Sequence, residues 1–512
     1  MPLTLPETLP ALYRSAAIRR IEAAAVAVGI DEAALMARAG QAAWRFLLEL
    51  WPQAQHIGVV CGPGNNGGDG YVLAELARAS GRRVRVLRMG EAAQAGDVRE
   101  GAAREAALVY LGNGGMVETF DAASGLGDVD VWVDALFGIG LSRAPDGTVA
   151  ALIEALNAQA APVLAIDVPS GLDADTGHTP GIAVRAAATI SFIAGKTGLY
   201  TGRARAHVGH LRVADIGVPP ACFDGIDINA RRLAAEYLPG LLPRRARTAH
   251  KGDCGRVLCV GGDHGMGGAV ALCAEAAHRV GAGLVSVATR AEHVPVLLTR
   301  RPESMPRAVD DAATLAPLLA AADVVAAGPG LGQAAWGTAL HDAVVDHAAD
   351  ADAPQPVVFD ADALNLLARR DARELPGCVL TPHPGEAARL LSRTTAEIER
   401  DRMHAVRELS ARHACAVVLK GAGSLVAAHG RTPVLIDAGN PGMACGGMGD
   451  TLTGTIAGLL AQWPGGSFEA AAIGALLHAV AADHAAEAGG ERGLLASDLF
   501  PHLRQLVNAE AR

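Results

Sequence analysis

The sequence predicts an α/β protein of two domains, each a mostly parallel sheet with helices on both faces. Three observations predict it. At 512 residues the chain exceeds what one core accommodates. Short β-branched runs alternate with Ala- and Leu-rich amphipathic stretches from end to end, the βαβ rhythm of covered parallel sheets. That rhythm breaks once, where prolines, glycines and an arginine cluster crowd residues 217–253, and then restarts. A linker is therefore expected near 218–245, between domains over 1–220 and 226–512.

In the first half, helices are expected at roughly 15–28 and 31–50, ahead of the first strand. Strands follow at 56–61, 84–89, 107–111, 129–134, 163–168 and 189–193, separated by helices. In the second half, strands are expected at 256–261, 284–288, 323–327, 357–360, 377–381, 416–420 and 434–437. Helices lie between them, and two long Ala-rich helices close the chain.

Composition narrows the function. With 61 glycines and only 4% aromatic residues, helices can approach sheets closely, which suits α/β layers. The net charge of −10 lacks the basic footprint of a nucleic-acid binder. Backbone N–H groups at helix N-termini can still hold an anionic nucleotide. Eight cysteines, at 61, 222, 254, 259, 273, 378, 415 and 445, form no C-x-x-C pair and read as incidental thiols of a reducing compartment. The first residues lack a basic stretch followed by an apolar run, and no apolar stretch is long enough to span a bilayer. A cytoplasmic protein without membrane or nucleic-acid partners is expected. Its Ala- and Gly-rich helices offer faces for a homo-oligomer.

Three strings carry chemistry in the first half, each at a strand end, where open α/β sheets bind ligands. CGPGNNGGDGYVLAELA (61–77) packs five glycines before and into a helix. Such a turn lets the backbone approach a phosphate-bearing ligand, with Asn65, Asn66 and Asp69 adding oxygens. The plain alternative is a tight turn with Asp69 as its N-cap. VDALFGIGLSR (133–143) ends a strand on Asp134, and AIDVPSGLDADTG (165–177) brings Asp167 and Ser170 to another strand end. Asn66, Asp134 and Ser170 can converge on a hard cation, leaving Asp167 free to move a proton. Lys196, in AGKTG, reads either as a phosphate contact or as a solvated surface lysine.

Over residues 10–220 these strings resemble the NAD(P)H-hydrate epimerase domain, a Rossmann-like fold. The resemblance implies potassium at Asn66, Asp134 and Ser170. It implies substrate contacts from Asn65, Asn66, Gly67, Gly68 and Asp69, from the turn Gly138, Ile139, Gly140, Leu141, Ser142, Arg143 and Ala144, and from Asp167. Ile139 stands where family members often have Thr. Asp167 would help the hydroxyl-bearing carbon six of the reduced nicotinamide ring open and re-close.

The decisive string of the second half is NPGMACGGMGDTLTGTIAGLLAQW (440–463). Glycines 446, 447 and 449 precede Asp450 and an apolar helix. Amides at such a helix start form an anion hole for a transferring phosphoryl group, and Asp450 stands ready to take a proton from a hydroxyl. A capping aspartate is the plain alternative. KGAGS (420–424) offers a glycine turn to nucleotide phosphates, and TPHPGE (381–386) holds His383 and Glu386 in a rigid loop. AGPGLG (327–332) permits close approach, and FDADALN (359–365) puts Asp360 and Asp362 at a strand end, where magnesium can be reached through water. Ala269 opens the helix of GGDHGMGGAVALCAEAAHRVGAGLVSVAT (261–289).

Over residues 230–510 this set resembles the ADP-dependent NAD(P)H-hydrate dehydratase domain of the ribokinase-like superfamily. The resemblance implies that Ala269, Gly330, Gly332, His383 and Asp450 contact the hydrate. The nucleotide falls to Lys420, Gly421, Ala422, Gly423 and Ser424, with Gly446, Gly447 and Gly449. Cys445 and Ser424 replace threonines usual there. The implied activity is repair of hydrated NADH and NADPH: epimerisation of the R and S forms, then ADP- and magnesium-dependent dehydration of the S form, releasing AMP and phosphate. Two other readings remain at this stage. One is a ribokinase-like kinase of a vitamin alcohol whose N-terminal domain is non-catalytic; the other is a nucleotide- or partner-binding scaffold.

Overall fold

The computed structural model describes residues 3–89, 100–123, 125–141, 143–349, 355–464 and 466–508; Ser142 lies outside them. The chain divides into two compact units, Ala11–Ala230 and Arg231–Arg512, the second including the first ten residues.

The first unit runs β1 (Ala11–Tyr13), α1 (Ser15–Ala27), α2 (Glu32–Leu50), β2 (His56–Cys61), α3 (Asn65–Ala79), β3 (Arg83–Arg88), α4 (Ala102–Gly112), β4 (Val117–Thr119), β5 (Val131–Ala135), α5 (Gly147–Asn157), β6 (Val163–Ile166), β7 (Ala188–Phe192), β8 (Gly195–Lys196) and β9 (His210–Ala214). Seven strands form one sheet in the order β4-β3-β2-β5-β6-β7-β9. Every pairing in it is parallel. The chain first builds outward from β2 through β3 to β4, then returns to β5 on the other flank. That reversal leaves a crevice beyond the carboxyl ends of β2 and β5. Cys61 and Ala135 are register partners at its edge.

The second unit continues β10 (Ala230–Ala234), β11 (Arg256–Val260), α6 (Gly267–Arg279), β12 (Leu284–Thr289), α7 (Val294–Arg300), β13 (Met305–Ala308), α8 (Ala312–Ala321), β14 (Val324–Ala327), α9 (Ala335–Ala348), β15 (Val357–Phe359), α10 (Ala361–Leu367), β16 (Val379–Leu380), α11 (Pro384–Leu391), α12 (Thr395–Arg400), α13 (Arg402–His413), β17 (Ala416–Leu419), β18 (Leu425–Ala427), β19 (Val434–Asp437), α14 (Met448–Gln462), α15 (Ser467–Gly489) and α16 (Leu499–Leu506). Its strands lie in the order β13-β12-β11-β14-β15-β16-β17-β18-β19-β10. Among the described residues only the β17–β18 and β18–β19 pairings are antiparallel. The order reverses between β11 and β14, again opening a crevice at strand ends. α15 is buried around most of its circumference, as the apolar run Ala470–Ala482 requires. Leu3 and Leu9 are buried in this unit's core, and Arg231 donates to the Leu9 carbonyl at 2.7 Å.

The structure departs from the sequence reading in places. Residues 107–111, expected as a strand, lie inside α4, where Ala103, Ala107 and Tyr110 make a buried helical stripe while Leu108 and Val109 face solvent. The expected linker contains β10, paired with β19 through Leu233 and Ala234. The glycine string 61–77 opens a helix as expected: α3 begins at Asn65 and holds Gly67, Gly68 and Gly70.

Within the second unit α6 and α14 touch backbone to backbone. A Cβ placed on Gly454 would lie 2.0 Å from the Cys273 carbonyl oxygen. Gly454→Ala is therefore expected to cost this unit roughly 1–3 kcal/mol, read as a lowered urea midpoint; an unchanged midpoint would contradict the close packing.

Candidate functional sites

In the first unit, glycine lets α3 sit against the end of β2. A Cβ on Gly67 would lie 1.9 Å from the Gly62 carbonyl oxygen. The helix thereby presents Asn65, Asn66 and Asp69 to a cavity of about 770 Å³ that Gly138, Ile139, Gly140, Asp167, Lys196 and Glu22 also line. Asp69 lies inside the helix and is not its N-cap. Burial, then Asp167 and Glu22, pushes its carboxyl well above the usual range. Gly67 and Gly68 are buried without lining the cavity, and neither Leu141, Arg143 nor Ala144 lines it.

Asp167 follows β6 with φ 63°, the left-handed region that a side-chain-bearing residue enters at a cost of order 1–3 kcal/mol. Its Oδ1 lies 2.6 Å from Lys196 Nζ, and its Oδ2 accepts the Ile139 N–H at 3.2 Å. Lys196 is 1% exposed and also donates to Ser191 Oγ (2.9 Å) and the Phe192 carbonyl (2.7 Å). Burial removes the surface-lysine reading of Lys196, which lines the cavity, and Asp167 is not free but half of an ion pair with it. Glu22, on α1, is a further cavity carboxylate that no motif announced; burial, then Asp167, raises its pKa.

Behind the cavity Asp134 is wholly buried. Its Oδ1 accepts from Ser170 Oγ (2.6 Å) and the Leu136 N–H (3.2 Å), and its Oδ2 from the Ser170 N–H (2.8 Å). These donors are all neutral, and burial pushes the carboxyl up to about 6. Both polar atoms of the Asn66 amide are buried with no hydrogen-bond partner among the described residues. Gly138 marks their approach to Asp167: a Cβ there would lie 3.3 Å from Asn66 Oδ1 and 2.6 Å from Asp167 Oδ2. An orphaned amide oxygen, a buried carboxylate without a cation and a serine oxygen fit a hard cation.

In the second unit the centre is an ion pair. Asp360 occupies the N-cap position of α10 without capping it. Its Oδ1 lies 2.6 Å from Lys420 Nζ and its Oδ2 accepts from Thr453 Oγ1 at 2.8 Å. Burial is the largest single influence on each and opposes both charges, but the partner's charge outweighs it once joined by Thr453 and Thr381 at Asp360 and by Glu386 and Asp450 at Lys420: Asp360 is lowered and Lys420 raised. Glu386 Oε2 lies 3.8 Å from the same ammonium and burial pushes it up to about 7.

The first turn of α14 rests on this pair. A Cβ on Gly449 would lie 3.1 Å from Asp360 Oδ2 and 3.3 Å from Lys420 Nζ. Gly447 caps the helix with φ 91°, and Gly446 is exposed just before it. The helix start leaves first-turn amides without intrahelical partners, beside the Lys420 ammonium. Asp450 stands in that turn. Burial, then Asp360, pushes its carboxyl up to about 6, with Lys420 pulling it back. A carboxylate titrating there is matched to base catalysis near neutral pH.

Gly330, Ala269 and Gly332 come together at the β11/β14 reversal: a Cβ on Gly330 would lie 3.2 Å from Ala269 Cβ, and the Gly332 N–H donates to Asp362 Oδ2 at 2.9 Å. His383 has a structural task the sequence reading undervalued. It caps α11, its Nδ1 accepting the Gly385 N–H at 3.0 Å while its own N–H donates to Glu386 Oε2 at 2.8 Å. The 420–424 turn is exposed at Gly421 and Ala422 and buried at Gly423; Ser424 Oγ donates to the Gly421 carbonyl at 3.1 Å. Beneath it Arg402, 1% exposed and unforeseen, donates to the Lys420 carbonyl at 3.1 Å. No group of three or more His, Cys, Asp or Glu side chains that could hold a metal occurs among the described residues. Asp360 and Asp362 are engaged by protein donors, so the described residues make no direct magnesium cage. Among the described residues, no helix is long and apolar enough to cross a membrane.

Comparison with known proteins accounts for both halves. Residues 32–198 match the family described as YjeF-related protein N-terminus, and residues 257–505 match NAD(P)H-hydrate dehydratase. The bifunctional NAD(P)H-hydrate repair enzyme Nnr of Coxiella burnetii is 48% identical over 497 residues, covering 97% of this chain and 99% of that protein. The protein of the same name from Escherichia coli is 45% identical over 514 residues, covering 99% and 96%. A crystal structure of a ribokinase-like superfamily protein from Enterococcus faecalis matches at a TM-score of 0.50 and 30% identity, covering 54% of this chain and 95% of that one. Identity of this extent over nearly the whole length of both chains, falling on two units that each hold a candidate site, establishes that this chain belongs to the family of bifunctional NAD(P)H-hydrate repair enzymes.

Proposed function

We propose that the first unit interconverts the R and S forms of hydrated NADH and NADPH, and that the second dehydrates the S form at the expense of ADP. The observation that carries this reading is Asp450, a carboxylate raised to about 6 at a helix start whose first turn lies on the Lys420–Asp360 pair.

In the second unit the ring hydroxyl of the hydrate is a poor leaving group until phosphorylated. Asp450 takes its proton, the oxygen attacks the terminal phosphorus of ADP, and the bond to the bridging oxygen breaks to release AMP. The amides around Gly446, Gly447 and Gly449, with Lys420, stabilise charge on the transferring group. Phosphate then leaves carbon six and the neighbouring carbon loses a proton, restoring the ring double bond. The 420–424 turn receives the nucleotide, while Ala269, the 330–332 turn and His383 border the hydrate. Magnesium, when bound with the nucleotide, would supply charge neutralisation at its phosphates.

In the first unit Asp167 and Lys196 act together on the hydroxyl-bearing carbon. The ammonium holds Oδ1 and leaves Oδ2 toward the Ile139 amide and the cavity. Asp167 then moves the proton that opening and re-closing the carbon–oxygen bond requires. Asn66, Asp134 and Ser170 are the residues that would hold potassium, which when bound supplies a fixed positive charge beside the cavity and keeps Asp134 ionised.

The test follows the return of reduced-nicotinamide absorbance from a mixture of R and S hydrates with ADP. Asp450→Asn is expected to slow dehydration by about 10²–10⁴-fold while R/S interconversion continues; undiminished dehydration would refute the assignment. Lys196→Met is expected to leave the S form repairable and to strand the R form beyond its spontaneous epimerisation. Repair of both forms at the original rate would refute the paired role.

Stability offers an independent reading of Asp450. A carboxyl whose folded pKa is raised takes stability away as pH climbs from its ordinary value near 3.8 to about 6, and the loss persists above that. Asp450→Asn should therefore melt above the parent protein at pH 8, with the gap closing as pH falls toward 4. A gap independent of pH would show that burial does not strain this carboxylate.

A further inference from the structure

The second unit holds another cavity, of about 590 Å³, lined among the described residues by Arg244, Arg245, Arg279, Arg301 and Arg504 against one carboxylate, Glu303. That volume suits a small ligand. Five guanidinium groups in one hollow are conspicuous in a chain of net charge −10. The cavity is distinct from the site described above. α6 and α14 begin beside Ala269 and Asp450 and end at this cavity, on Arg279 and on Gln462–Trp463. The length of α14 separates the two by about 20 Å.

Structural duties account for part of the charge. Arg245 donates to the Gly281 carbonyl and to Gln462 Oε1, tying down the ends of α6 and α14. Arg279 and Arg301 both reach Glu275 Oε1, so a single buried carboxylate faces two guanidiniums. Charge remains after that pairing. Arg301 Nε is a buried donor without a hydrogen-bond partner among the described residues, and Arg504 is an exposed cation on the cavity wall. Half-buried Trp463, with Leu242 and Val507, gives the wall an apolar and aromatic part.

We propose that this cavity is a second anion site that takes a nucleotide-class ligand, its phosphoryl groups among the arginines and its flat ring against Trp463. Guanidinium forks match phosphate oxygens in pairs. An aromatic face beside the phosphate site distinguishes a nucleotide from a bare inorganic anion.

The test is equilibrium dialysis of the full-length protein with radiolabelled ADP, and with inorganic pyrophosphate as competitor. Two ADP sites per chain are expected. In R244E/R504E, which alters two exposed residues, one site should weaken at least tenfold while ADP-dependent dehydration and the other site are unchanged. Arg504→Gln should weaken the same site by about threefold. A single site, unaltered in both variants, would overturn the proposal. Binding of pyrophosphate that these variants weaken, without a matching ADP site, would also overturn it, since the nucleotide assignment would be wrong. A single ADP site lost in R244E/R504E would sustain this cavity and count against ADP at Asp450, so the two readings fail separately.

Discussion

The ion pair between Lys420 and Asp360 is the interaction on which the second unit's site depends. It joins the ends of β17 and β15 at 2.6 Å, and Thr453 and Gly449 fasten α14 to it. Taking two charges from water is costly, and removing one partner of such a pair costs on the order of 3–5 kcal/mol. What the pair supplies is placement. It fixes where the first turn of α14 begins, and hence where Asp450 and the glycine amides stand. Burial raises the Asp450 carboxyl most, Asp360 adds to it and Lys420 offsets it, leaving it at about 6.

The first unit repeats the device with different residues. Lys196 meets Asp167 at the same 2.6 Å, from β8 to the end of β6. In both units the junction after the strand carries backbone strain on a residue with a side chain, Asp167 at φ 63° and Ala361 at φ 48°. Strain at such points persists when the surroundings over-determine it, and here the neighbouring ion pair does so. In each unit a carboxylate with a raised pKa stands beside the pair: Asp69 in the first, Asp450 in the second. Two parallel sheets thus arrive at one solution, in which a lysine–aspartate pair anchors the geometry and a second carboxylate stands near it.

Much of this was legible in the sequence, for identifiable reasons. Strands buried on both faces announce themselves as continuous β-branched runs, so β2, β5, β11, β14 and β17 were foreseen. The short strands β4, β9, β10 and β13 were not, because charged and polar residues interrupt any apolar run there. Residues 107–111 read as a strand because ALVYL is apolar throughout; only a helical stripe from Ala103 to Tyr110 separates the two readings. The strings around Asn66, Asp134, Asp167 and Asp450 stood out because glycine and oxygen-bearing residues cluster at strand ends. Lys196 stood out, but its burial against Asp167 did not, and Glu22 was missed altogether, since a cavity glutamate on an amphipathic helix leaves no local signature. Asp360 read as a strand-end carboxylate near magnesium, and only the fold brings Lys420 and Thr453, 60 and 93 residues away, to its two oxygens.

The central claim is that the ring hydroxyl of the hydrate is phosphorylated before it leaves. Hydrated NADH carrying oxygen-18 in that hydroxyl, incubated with ADP and the protein, tests it by mass spectrometry of the products. The account predicts that the label leaves in inorganic phosphate, one heavy oxygen per NADH restored. Label appearing in water, with unlabelled phosphate, would mean that Asp450 and the helix start eliminate hydroxide directly, and the account of the second unit would be wrong.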